Sequence, residues 1–123
     1  MSADEIIQRN ELTTLLLRQG YNVFIPVYDE GIDLIAHREA DDDLKLIQQK
    51  SRWTIARKYV GRNIWIAFRD GGRWFLAPHD VLVSLGEAAG YTSTPSWIEN
   101  GLYHRASMTR NLREWCEKYR LPG

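Results

Sequence analysis

The chain has 123 residues, with 16 Lys and Arg balancing 16 Asp and Glu, so bulk charge does not mark it as a partner of polyanions. One cysteine, Cys116, excludes a disulfide framework. No apolar run reaches the roughly twenty residues of a membrane span, and His37, His79 and His104 lack zinc-like spacing to one another or to Cys116. These three histidines are expected at the surface or in loops. The length suits one domain over residues 1–123, with residues 1–80 as its core and 81–123 supplying C-terminal helices and a loop. No basic, apolar leader opens the sequence, which points to a cytoplasmic location.

Ser2 followed by Glu5 has the pattern of a capping box, Leu12, Leu15 and Leu16 provide an apolar stripe, and Gly20 is placed to stop this first helix. Strands are expected at Tyr21–Val27, Ile32–His37 and Leu44–Lys50. A short helical or irregular stretch follows at Ile55–Val60. Asn63–Arg69 and Arg73–Leu76 read as a hairpin across Asp70-Gly71-Gly72. Pro78 opens a helix that ends by Gly86 or Gly90, and Leu112, Trp115, Cys116 and Tyr119 form the stripe of a last helix. Helices and strands mixed in this way predict an α/β or α+β core.

The segment from Gly31 to Arg52 carries the chemistry. Residues i and i+2 of a strand face the same way, so Gln48 and Lys50 share one side of the third strand. If that strand folds back on the second around Arg38 to Asp43, residues whose numbers sum to 81 pair, and Asp33 meets Gln48. A carboxylate, an amide oxygen and an ammonium then converge, in mid-strand positions where polar groups need partners or a task. A hard divalent cation takes oxygen ligands, and an adjacent lysine can orient water and offset charge developing on phosphorus. The same residues also suit a plainer role, with Asp33 in a turn, Gln48 and Gln49 in a cross-strand ladder and Lys50 at a solvated strand end.

This layout resembles the PD-(D/E)xK nuclease superfamily, including archaeal-type Holliday junction resolvases and restriction-like nucleases. Asp33 in GIDLIA stands at the first acid, Gln48 replaces the second acid, and Lys50 matches the lysine. The resemblance implies a restriction-endonuclease-like core, a mixed β-sheet flanked by helices. It also implies a Mg²⁺-dependent endonuclease acting on DNA, branched or foreign duplex included, with Mn²⁺ as an alternative ion. Asp33, Gln48 and the backbone carbonyl of Gln49 would ligate the metal. Lys50 would position water, and Glu11, which shares a helix face with Ile7 and Leu15, would add an acid ahead of Glu5. Ser51 and Arg52 would contact phosphate, and small nucleases of this kind commonly act as homodimers. An amide in place of a carboxylate keeps an oxygen but removes a charge, which predicts weak metal binding.

Charge distribution adds to this. Met1–Gln49 holds ten acids against four bases, and Lys50–Arg73 holds seven bases against Asp70 alone. Arg57, Lys58 and Arg62 therefore become candidate phosphate contacts directly after the candidate catalytic strand, although such residues also decorate ordinary solvated helices. The aromatic residues of the 91–107 loop are expected to anchor it to the body, with stacking on unpaired bases as the alternative. Two other functions stay open: a nuclease-fold DNA-binding or regulatory protein without catalysis, and a nuclease acting on RNA.

Overall fold

In a computed structural model describing residues 1–123, the first helix, α1 (Ala3–Arg18), begins at Ser2, whose hydroxyl accepts the Glu5 N–H at 3.2 Å. It ends where Gly20, at φ 87°, lets the Tyr21 N–H reach the Leu16 carbonyl and its own N–H reach that of Leu17. The strands β1 (Asn22–Phe24), β2 (Leu34–Arg38), β3 (Asp43–Lys50), β5 (Ile64–Asp70) and β6 (Arg73–Pro78) form one sheet in the order β1-β2-β3-β5-β6. Every pairing in it is antiparallel except β3 with β5. It is a mixed sheet flanked by helices, as expected.

Both faces of this sheet are covered. On one, Leu12 and Leu16 of α1 pack on Leu34, Ala36, Ile47 and Ala67. On the other, Ile66, Phe68, Phe75 and Ala77 meet Leu82 of α2 (His79–Ala88) and Leu112 and Cys116 of α4 (Arg110–Cys116). The β5–β6 hairpin turns on Gly71 and Gly72, at φ 58° and 78°, the paired positive values of a two-residue turn that follows strand twist.

Three expectations need correction. The Ile55–Val60 stretch is not simply helical or irregular: β4 (Trp53–Ala56) is a strand, followed by a 3₁₀ turn at Arg57–Tyr59. Its partner lies in the supposed loop, where α3 (Pro95–Asn100) leads into β7 (Leu102–Arg105) and Trp53 pairs with Arg105. All four residues of β4 are buried, so no apolar alternation betrays it. The loop aromatics do anchor, with Tyr91 stacked on Tyr103 at 4.3 Å and Trp97 buried. The first strand stops at Phe24, short of Pro26, which lacks the N–H to continue a ladder.

His79 is the third correction, since it is 1% exposed rather than superficial. Its Nε2 accepts the Ala56 N–H at 3.0 Å, and its Nδ1 lies 3.1 Å from the Asp80 carboxylate, so the neutral ring ties β4 to the start of α2. Burial lowers its pKa, opposed in part by Asp80. The folded state therefore binds this proton less readily than the unfolded chain, and the stability His79 contributes is present above the ordinary value of 6.5 and is lost as pH falls below it. Denaturant titrations at pH 7.5, 6.5 and 5.5 are expected to show stability falling on acidification, by at most about 1.4 kcal/mol per pH unit for one proton. In His79→Gln this part of the slope should vanish; an unchanged slope would assign it to other groups.

Candidate active site

The β2–β3 hairpin has the register the sequence predicts: Leu34 pairs with Ile47 and Arg38 with Asp43, both summing to 81. The turn is closed locally, with Arg38 bonded to Asp41 at 2.9 Å and Asp42 at φ 53°. At the other end the ladder changes character. Asp33 donates its N–H to the Ile47 carbonyl at 2.8 Å, and its carboxylate accepts the Gln49 N–H at 2.8 Å. The side chain thus takes the place of a backbone acceptor, which locks Asp33 against β3 at the edge of a cleft.

That cleft, roughly 420 Å³, lies between the start of α1 and the ends of β2 and β3, and its lining includes Asp4, Glu5, Asp33, Gln49, Lys50 and Ser51. Asp33 and Lys50 both line it. Burial raises the pKa of Asp33, the Gln49 N–H opposes this, the carboxyl of Asp29 raises it further, and the Lys50 ammonium draws it down. Asp29 comes from the β1–β2 loop, held there by the Gly31 N–H at 2.8 Å. The negative charge of the two carboxyls is offset in part by the Lys50 ammonium.

Gln48 is buried, 6% exposed, and its Nε2 lies 2.6 Å from the Tyr59 hydroxyl. Its Oε1 is buried without a partner, and so is the Oε1 of Gln49, whose Nε2 donates to the Glu5 carbonyl at 3.1 Å. Each amide is pinned by its nitrogen and leaves its oxygen unused, an arrangement that costs stability unless something else bonds those oxygens. No three His, Cys, Asp or Glu side chains are placed so that together they could hold a metal ion, so a cation held here needs amide or backbone oxygens alongside carboxylate. Asp33, Gln48 Oε1 and the backbone carbonyl of Gln49 would be hard oxygen donors of the kind Mg²⁺ takes, while the Gln49 side chain points to the opposite face of β3, toward α1.

Glu11 sits elsewhere. Its carboxylate accepts from Trp74 Nε1 at 3.3 Å and lies 3.7 Å from Arg69, tying α1 to β5 and β6, whereas Glu5 lines the cleft. The candidate phosphate contacts are exposed: Ser51, Arg52, Arg57, Lys58 and Arg62 all face solvent. Lys58 and Arg62 cover the Tyr59 ring at 5.1 and 5.7 Å, next to Gln48. Arg57 lies against Trp97 and beside a second shallow cleft with Lys58 and Asn100. Asp29 and Tyr59 had no sequence signal of their own, because each reaches the site through a loop or turn whose path the strand pattern does not specify.

No protein-family model matches the chain, and no curated protein matches it either. Among solved structures it matches a bacterial homing endonuclease, I-Ssp6803I, with a TM-score of 0.54 over 97% of this chain and 86% of that one, at 18% identity. The two share a fold. At that identity the likeness establishes the architecture, and any chemistry must rest on the residues of this chain. No helix is long and apolar enough to cross a membrane.

Proposed function

We propose that the protein is a Mg²⁺-dependent endonuclease of PD-(D/E)xK type acting on DNA, with Gln48 in place of the second acid. The observation that carries this is that Asp33 and Lys50 line one open cleft, while Gln48, on the same side of β3 as Lys50, keeps a buried side-chain oxygen that has no protein partner. The likeness to a homing endonuclease fold supports it.

Asp33 and the Gln48 side-chain oxygen would hold the metal, with Gln49 beside them. Bound there, Mg²⁺ supplies positive charge that polarises a phosphoryl oxygen and makes bound water more acidic. Lys50 orients the attacking water and offsets charge developing on the phosphorus oxygens. Ser51 and Arg52 meet the phosphate nearest the cleft, and Arg57, Lys58 and Arg62 carry the backbone away from it. Glu5, which lines the cleft, is better placed than Glu11 to act as an auxiliary acid; Glu11 supports the helix against β5 and β6. A homodimer would supply two such sites for two strands.

Supercoiled plasmid, branched DNA and RNA, each incubated with purified protein and Mg²⁺, Mn²⁺ or EDTA, test the reading. Cutting of a DNA substrate that EDTA abolishes is expected, and binding without metal-dependent cutting of any substrate would replace it with a non-catalytic DNA-binding role. The amide also makes a prediction: Gln48→Glu adds a negative charge to the metal site and should tighten Mg²⁺ binding by about tenfold or more in calorimetric titration, since even a screened contact pair is worth on the order of a kcal/mol or more. Equal or weaker binding by the Glu variant would show that Gln48 is not a ligand.

A further inference from the structure

Tyr59 takes no part in the chemistry proposed above, yet its hydroxyl is the sole protein partner of the Gln48 side chain. An amide is chemically two-faced. If its nitrogen faced the metal, a ligand would become a repelled donor, so a site that uses glutamine must choose the orientation of that side chain, a choice a carboxylate never has to make. Tyr59 is built to make it. The ring is 6% exposed, packed edge-on against His79 at 5.9 Å, and covered by Lys58 and Arg62. Gly31 closes over the hydroxyl so tightly that a methyl group there would lie 3.1 Å from the ring and 3.3 Å from the oxygen. Held on these sides, the phenol oxygen sits 2.6 Å from Gln48 Nε2, and the amide oxygen is left free.

We infer that Tyr59 is a positioning residue for the Gln48 amide: its hydroxyl accepts the Nε2 hydrogen and so presents Oε1 as a cation ligand. The inference rests on the metal-site reading given above. It accounts for a buried tyrosine inside the basic segment, and it supplies a structural reason why glutamine can stand where a carboxylate is the simpler ligand.

Tyr59→Phe keeps the ring and its packing and removes only the acceptor. Half-saturating Mg²⁺ in the cleavage reaction is expected to rise roughly three- to tenfold, the fold-change that corresponds to one neutral hydrogen bond. DNA affinity in EDTA should stay near wild type, and the melting temperature should fall only modestly, by the loss of one buried hydrogen bond. In a Gln48→Glu background both ligand oxygens are equivalent, so adding Tyr59→Phe should then change the Mg²⁺ requirement by less than about twofold. An equal effect in both backgrounds would make Tyr59 a merely structural residue and overturn the inference. A lower Mg²⁺ requirement in Tyr59→Phe would overturn it as well, because the hydroxyl would then be donating to Oε1.

A readout that needs no catalysis separates this from the nuclease reading. Mn²⁺ titrated into ¹⁵N-labelled protein should broaden the Gln48 side-chain amide signals selectively, and Tyr59→Phe should require several-fold more Mn²⁺ for the same broadening. Should that hold in a protein that cuts nothing, the positioning role stands and the nuclease reading falls. If Mn²⁺ leaves Gln48 untouched in the wild type, the positioning role falls.

Discussion

Lys50→Ala is expected to lower the rate of metal-dependent DNA cleavage by about 10²–10³-fold while leaving DNA binding in EDTA within a few-fold of wild type. Two effects add in the same direction. The ammonium is the one cationic side chain lining the cleft with Asp33, and removal of a single preorganised electrostatic contact to a transition state typically costs that much in kcat. It also draws the Asp33 carboxyl down against burial and against Asp29, so without it Asp33 protonates more readily as the pH falls. Raising the pH should therefore recover the part of the loss that comes from Asp33, and the part due to the missing ammonium should persist. Single-turnover cleavage measured across pH, beside binding by fluorescence anisotropy, separates the two. Wild-type cleavage rates in Lys50→Ala would remove Lys50 from the mechanism.

The opposite signature is expected when Arg57, Lys58 and Arg62 are replaced together by Gln. These residues stand outside the Asp33–Lys50 cleft and are exposed, so the chemical step at saturating DNA should survive while affinity falls. If each contacts one phosphate, the dependence of log affinity on log salt should flatten by about three units, close to 0.9 per contact for duplex DNA. Glutamine retains most of each side-chain stem, which limits lost packing where Arg57 lies against Trp97 and where Lys58 and Arg62 cover Tyr59. Binding isotherms at several salt concentrations provide the slope. An unchanged slope would place the DNA path on another surface, and a cleavage defect at saturating DNA would show that these cations also act on the chemical step.

The pair of variants also separates enzyme from binding module. A nuclease-fold protein without catalysis would lose affinity in the triple variant and show no difference between Lys50→Ala and wild type in any cleavage assay.

Much of this architecture could be read from the sequence because it depends on local rules. The Ser2 cap, the stop at Gly20, the β2–β3 register and the Gly71-Gly72 hairpin follow from turn chemistry and from the period of two along a strand. A register error of one residue would have turned Ile47 out of the core, so the apolar pattern alone settles how Asp33 and Lys50 approach. What the sequence left undetermined depends on long-range closure. Pairing β4 with β7 joins Trp53 to Arg105, 52 positions along the chain, and a fully buried strand has no alternation to announce it. The burial of His79, the docking of Glu11 on Trp74 and the meeting of Asp29 with Asp33 likewise depend on how loops and helices settle on the finished sheet. So does the bond from Gln48 to Tyr59. The sequence by itself determined which residues could form the site; only the tertiary structure decided which amide atom of Gln48 is paired within the fold, because that choice is made by a hydroxyl eleven residues away, brought into place by the turn after β4.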